Sequence, residues 1–512
     1  MDSTLEKNKR LAKNTLVLYL RMLVMMLISF YTTRITLHAL GFVDYGLYNV
    51  IGGLVSMFTI LSASLSGSVS RFISFNLGIN DIDKLKRVFV ISIDIHIMLA
   101  FIIVILIETF GVWFLNNKML IPTDRLYASN WVLQCSVFSF GLGLLSIPYN
   151  AAIIAHERMS AFAYMTIFDA LSRLAIVFAI YMYPEDKLIL LAILNLLPVL
   201  VTQFIYWLYC KKNFEECVYS LTWDKQIFRE MFSFAGWNFI GCTAGLMKDH
   251  GVNVVVNLFA GPVVNAARGI AMQVNGVVSR FIYNFTTAMN PQIIKEYSVG
   301  NLDRVHTLIF LGTRFSYFIF MLLSIPLLFE IEDVLILWLG KIPEHTVLFT
   351  RLVLILTLSD IISETLIKAQ LATGKIKTYQ IVVGGILLLN LPLSYVCLYF
   401  GLFPEITVII AICISQICLF ARFYFLRKMI QLSISKFLRK VYLNVILVTI
   451  LSSIAPFFCY LYLPDGFGRV IILTSISILT SIAAIYYVGC DENERSMLKS
   501  LVLKMFNGKL KR

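Results

Sequence analysis

Apolar runs of about 20 residues or more follow one another from Asn14 almost to the C-terminus. A helix needs a run of that length to cross a bilayer core of about 30 Å. The recurrence therefore commits the chain to an all-α integral membrane fold before any local detail is considered. Composition agrees, because 59% of the residues are hydrophobic and only 14% are charged, against about 25% charged in a soluble domain. The mean hydropathy is +0.82.

Hydropathy places spans at 14–38, 46–69, 88–113, 127–153, 161–183, 188–209, 231–258, 262–289, 306–329, 347–369, 380–402, 404–427, 438–462 and 467–489, about fourteen transmembrane helices. The first run is too long for a signal-peptide core and lacks a small-residue cleavage site, so it reads as a retained helix. An even count puts both termini on one face, and the positive-inside rule makes that face cytoplasmic. Of the 43 Lys and Arg residues, 30 fall on the N-terminal side, 5 on the opposite side and 8 within spans. Basic residues sit in short loops, which argues against nucleic acid as a partner and for membrane lipids. The loops leave no room for an extramembrane catalytic domain. The nine cysteines have neither zinc nor disulfide spacing, and no Walker motif is present, the nearest string being Gly374-Lys375. No cofactor, metal site or catalytic residue is expected.

The chain also resembles itself at an offset of 220 residues. Leu40-Gly41 then falls on Ala260-Gly261, and Asp81-Ile82-Asp83-Lys84-Leu85 falls on Asn301-Leu302-Asp303-Arg304-Val305. Six spans separate the copies, so the repeat is parallel, about an axis along the membrane normal. The implied layout is a cytoplasmic N-terminus 1–13, an N-lobe of six helices 14–209 and a linker 210–230. A C-lobe of six helices 231–427, two further helices 438–489 and a basic tail 490–512 complete it.

The run Thr33-Arg34-Ile35 through Leu40-Gly41-Phe42-Val43-Asp44-Tyr45-Gly46-Leu47-Tyr48 resembles the end of helix 1 in the Wzx-like oligosaccharide flippases of the MOP superfamily, whose fold is MATE-like. Asp249 followed by Val252 to Gly261 resembles their helix 7, although Pro262-Val263-Val264-Asn265-Ala266 departs from the Gly-Ile-Tyr type of sequence expected next. The resemblance implies a transporter and not an enzyme. Its cargo would be an undecaprenyl-diphosphate-linked oligosaccharide, moved across the bacterial inner membrane by alternating access for O-antigen, lipopolysaccharide or capsule assembly. It also implies coupling to an H+ or Na+ gradient, with a polysaccharide polymerase and a chain-length regulator as partners. Three other readings stand beside it: a multidrug antiporter of the same superfamily, a flippase for the peptidoglycan precursor, and a membrane-embedded glycan polymerase or ligase.

Charges inside spans cost a few kcal/mol each on insertion scales, so each is a candidate for function. Arg34, Arg173, Lys248, Arg268 and Arg280 are expected to face the cavity and meet substrate phosphates, for which arginine forks are suited. Asp169, Asp249, His250, Asp360 and Glu364 are the ion-coupling candidates. Asp169 and Arg173 are four apart and share a helix face, so mutual neutralisation is an alternative for them. Lys248, Asp249 and His250 are consecutive, and the flanking Gly245 and Gly251 permit a loosened helix there. Arg21, Arg314 and Arg351 lie within about two turns of a helix end, where a long side chain can snorkel to the headgroups. Pro148, Pro198, Pro326, Pro392 and Pro456 are expected to bend their helices.

The charge asymmetry sets a topology. Reporter fusions after Lys118, Lys187 and Lys341 should lie outside, and fusions after Lys86, Lys212 and Lys377 inside. One sustained inversion along the series would refute the fourteen-span layout.

Overall fold

We describe residues 2–499 of a computed structural model, without 57, 120, 184, 185, 221, 493, 497 and 498, and without the side chains of 2–12, 30, 33, 37, 42, 43, 49, 53, 54, 56, 250 and 262. Part of the expected basic tail, 500–512, lies outside the described residues, as does the side chain of His250. The described residues form helices and no strands. In chain order these are α1 (Asp2–Ser56), α2 (Thr59–Ile79), α3 (Ile82–Leu106), α4 (Val112–Asn117), α5 (Leu126–Ala155), α6 (Met159–Tyr181), α7 (Lys187–Leu194), α8 (Leu196–Asn213) and α9 (Lys225–Leu246). They continue as α10 (Val252–Ser298), α11 (Leu302–Leu339), α12 (Thr346–Ala372), α13 (Lys377–Leu388), α14 (Asn390–Tyr399), α15 (Ile406–Ile430), α16 (Ile434–Phe437), α17 (Leu443–Tyr462) and α18 (Phe467–Ala484).

Ten helical stretches among the described residues are long and apolar enough to cross a membrane. The expected spans 46–69, 231–258, 262–289 and 306–329 are not among the ten, although they too fall on helix apart from a break at Phe58. Leu16, Leu20, Leu23 and Leu27 are all exposed along one face of α1, at the i, i+4, i+7 spacing of a helical stripe. Ile450, Ile454, Phe457 and Leu461 do the same on α17. Stripes this apolar suit contact with acyl chains.

The chain divides into two compact units. Unit 1 holds residues up to Thr243 together with Thr287–Asn301 and Gly374–Gln380, and unit 2 holds the remainder. In unit 1 the core includes Leu47 and Ile51 of α1, Leu133 of α5 and Leu188 of α7. In unit 2 it includes Ala267 and Ala271 of α10, Phe349 and Val353 of α12, and Val408 of α15. Leu47, Ile51, Leu133 and Leu188 lie 220 residues before Ala267, Ala271, Val353 and Val408. The repeat thus extends from sequence into packing, with smaller side chains in the second copy.

Backbone geometry repeats as well. Gly41 interrupts α1 at φ 76°, ψ 174°, and Gly261 interrupts α10 at φ 79°, ψ 179°. This region of backbone space is open almost only to glycine. Asn80 and Gly300, again 220 apart, end α2 and α10 in the left-handed conformation, the usual way to close a helix. Two ion pairs repeat too. Arg125 bonds Asp44 and Asp186, each at 3.0 Å, while His345 meets Glu405 at 2.6 Å. Prolines account for two further breaks. Pro198 has no N–H for the carbonyl of Leu194 and Pro392 none for that of Leu388, and the helices break at Asn195 and Leu389.

No atom lies within 4 Å of where a β-carbon would sit on Gly261 or on Gly269. Substitution at Gly261 is therefore penalised by backbone conformation alone. Gly261→Ala should cost about 1–3 kcal/mol and lower the thermal midpoint in detergent, whereas Gly269→Ala, on ordinary helix, should not. Equal midpoints would contradict the assigned conformation.

Candidate functional site

Unit 1 encloses a cavity of about 650 Å³ between α1, α2, α5, α6, α7 and α8. Its charged lining is Arg21, Asp169 and Arg173, two guanidinium groups against one carboxylate. Around them stand neutral polar groups, among them Tyr48, Ser62, Ser139, Asn150, Thr202 and Gln203. Arg173 Nε donates to Asp169 at 3.0 Å, one helical turn away. The Arg21 guanidinium lies 4.5 Å from the centre of the Phe162 ring, a cation–π contact that orients it without neutralising it. Asn195, at the break between α7 and α8, donates to the Tyr48 hydroxyl at 3.3 Å. A polar concavity within a membrane-embedded bundle costs insertion energy, which makes it a candidate site.

The corresponding positions in unit 2 are built differently. Between α9 and α10 the helix widens into a π-turn at Met247–Gly251, bounded by the glycines expected to loosen it. A π-turn releases carbonyls from the i→i−4 ladder, and Asn390 Nδ2 donates to the Lys248 carbonyl at 3.3 Å. The buried Lys248 ammonium reaches Asp360 of α12 at 2.8 Å. The other Asp360 oxygen accepts from Ser415 Oγ at 2.5 Å, Ser415 accepts from Ser359 at 3.0 Å, and Ser359 accepts from Gln416 at 2.5 Å. Every hydrogen in this series points toward the carboxylate, the arrangement that suits an anion.

The offset of 220 sets the two places side by side. Ser139, Phe140 and Asn195 match Ser359, Asp360 and Ser415, and Tyr48 matches Arg268. Positions that line an open cavity in the first copy hold an ion pair and its hydrogen-bond chain in the second. Arg268 is buried, donates to Asn253 Oδ1 at 2.6 Å, and has Asp249 as a charged neighbour.

Of the residues singled out in the sequence, Lys248 and Asp360 are brought together across 112 positions, and Asp169 and Arg173 share the cavity of unit 1. Glu364 pairs with Lys368 at 3.2 Å on its own helix. Arg34 and Arg280 are exposed. Three arginines read as candidates for snorkelling are engaged instead: Arg21 in the cavity, Arg314 buried against Glu494, and Arg351 donating to the Leu328 carbonyl at 3.0 Å. The uncharged lining of α8 escaped notice because hydropathy barely registers it. Its signal is the spacing of Val199, Thr202, Gln203 and Tyr206, one helix face in an apolar run.

The model of a family described as polysaccharide biosynthesis protein matches residues 11–332. No curated protein matches the chain in sequence. Among solved structures, an outward-facing multidrug resistance MATE family transporter of the MOP superfamily superposes with a TM-score of 0.70 at 14% identity, over 83% of this chain and 96% of its own. A MOP superfamily transporter from Pyrococcus furiosus, described by the reverse polarity of its binding pocket, gives 0.69 at 13% identity over 84% and 96%. The MATE transporter ClbM in complex with Rb+ gives 0.66 at 16% identity over 83% and 96%. The fold is that of MOP transporters.

Breaking the pair in unit 2 leaves a buried ammonium without its anion. Because the Asp360 side chain is 43% exposed, the loss should fall below the 3–5 kcal/mol of a fully enclosed pair, at about 1–3 kcal/mol for Asp360→Asn. Adding Lys248→Met should recover most of it. Additive losses in a double-mutant cycle of thermal unfolding would show that the two do not interact.

Proposed function

The chain belongs to the polysaccharide biosynthesis protein family, and on that premise we propose that it flips undecaprenyl-diphosphate-linked oligosaccharide repeat units across the bacterial inner membrane for surface polysaccharide assembly. It works by alternating access between lobes 14–209 and 231–427, joined by the linker 210–230, with both termini cytoplasmic. The observation that carries this reading is the cavity of unit 1, where Arg21 and Arg173 outnumber Asp169. A diphosphate entering a low-dielectric bundle loses its hydration, and guanidinium forks replace part of it bidentately. A pocket for cationic drugs needs the opposite sign, which sets the multidrug alternative behind this one. Hydroxyls and amides around the cations offer partners to a sugar.

An ion gradient of H+ or Na+ drives the cycle through unit 2. Asp249 and Asp360 are the acids placed for it, one on the π-turn and one paired to Lys248. Asp169, His250 and Glu364 complete the set of coupling candidates. Arg268, buried beside Asp249, meets phosphate as it passes, while Arg34 and Arg280 attract it from exposed positions. The polymerase and chain-length regulator consume the flipped product.

In vesicles loaded with the lipid-linked oligosaccharide, Arg173→Gln and Arg21→Gln should each slow flipping at least tenfold, and Arg173→Lys should retain part of the rate. Asp249→Asn should slow it with membrane insertion unchanged. Normal surface glycan in a null strain complemented by the Arg21→Gln, Arg173→Gln double variant would overturn the proposal.

A further inference from the structure

Two short segments of the second repeat belong to unit 1: Thr287–Asn301, the end of α10, and Gly374–Gln380, the link from α12 to α13. Both are continuous in chain with helices of unit 2, and each is held to the first repeat by a particular set of contacts. Glu157, in the turn between α5 and α6, has a left-handed backbone at φ 58°. Its carbonyl accepts from Asn14 Nδ2 at 3.3 Å, one carboxylate oxygen accepts from Gln292 Nε2 at 3.4 Å, and the other lies 3.5 Å from Lys295 Nζ. One side chain thus joins the start of the first span, the turn after the fourth and the end of α10.

Gly78, near the end of α2, touches the same part of α10. A β-carbon there would lie 3.0 Å from the Lys295 backbone and would collide with the Ser298 side chain. The second segment is gripped similarly. Arg71 of α2 lies over Phe72, Phe75 and Phe234 at 4.6, 5.0 and 5.6 Å, and its guanidinium fills the space above Gly374. Lys377 lies 5.2 Å from the Trp237 ring, and the Gln380 side chain fills the space above Gly241.

These contacts differ in kind from the core of unit 1, where fully buried Ile51, Val132 and Leu133 interdigitate. They consist of glycine faces, cation–π contacts and a long ion pair whose lysine is 27% exposed. Water can rehydrate such groups when they separate, so parting costs far less than opening an apolar core. A joint of this composition suits a contact that is made and broken repeatedly.

We propose that Glu157, Gln292 and Lys295, together with the Gly78–Ser298 and Arg71–Gly374 contacts, form a reversible latch that is made in one conformation of the transport cycle and parted in the other. The inference rests on reading the chain as an alternating-access carrier. It does not depend on which lipid is carried.

Two measurements on the full chain test it. The first is the pair Gly78→Cys and Ser298→Cys under mild oxidant, with the disulfide mapped by peptide mass spectrometry. The disulfide should form, flipping in vesicles should fall at least tenfold, and reductant should restore it, while each single variant stays active. A mapped disulfide that leaves transport unchanged overturns the latch, and so does failure of the two cysteines to join. The second is charge reversal read without substrate. Glu157→Lys should raise hydrogen–deuterium exchange at 292–301 and 374–380, and adding Lys295→Glu should lower it again. Exchange that stays the same in both variants overturns the latch, whereas altered exchange in a protein that flips no oligosaccharide lipid would sustain it and count only against the proposed cargo.

Discussion

A bilayer core offers nothing to a polar group that lacks a partner, and the rest of this structure depends on that constraint. It forces the backbone into helices and requires each irregularity to be satisfied locally. The Lys248 carbonyl freed by the π-turn meets the amide of Asn390. The helix breaks at Asn195 and Leu389 lie next to prolines that had already removed a donor. Charges obey the same rule, since Lys248 has Asp360, Arg314 has Glu494 and Arg469 has Glu330 at 2.9 Å.

Against that background the two repeats divide their labour. Both carry a glycine break at the same place, the same left-handed helix ending and a core built from the same positions. One copy keeps its polar residues apart around an open volume, and the other fills the equivalent space with an ion pair and a chain of hydroxyls. Duplication supplied a symmetric scaffold, and a few substitutions, such as Tyr48 against Arg268 and Phe140 against Asp360, made its halves unlike. A carrier with one wet lobe and one cross-linked lobe has separate places for cargo and for coupling.

Much of this was legible in the sequence, for reasons that are physical. Helix positions followed from hydropathy because lipid imposes length and apolarity together. The repeat was visible at Gly41 and Gly261 because only glycine tolerates that backbone, and at Asp81 and Asn301 because loop polarity is not set by hydropathy. The pairing of Lys248 with Asp360 was not legible: which face of one helix meets which face of another 112 residues away depends on rotation angles that no local pattern records. Arg314 looked free to snorkel because its partner Glu494 lies beyond the last span. The cavity residues of α8 were hidden because Thr, Gln and Tyr barely disturb an apolar average.

The central claim is that the cavity of unit 1 receives the diphosphate of a polyprenyl-linked glycan, and native mass spectrometry of the purified protein tests it most directly. Undecaprenyl diphosphate and undecaprenol, which share the chain but not the charge, should be offered together with a lipophilic cationic drug as competitor. The account predicts retention of the diphosphate, little of the alcohol, and loss of the diphosphate adduct when Arg21 and Arg173 are both replaced by Gln. Retention of the cationic drug in place of the diphosphate, undiminished by those replacements, would contradict it.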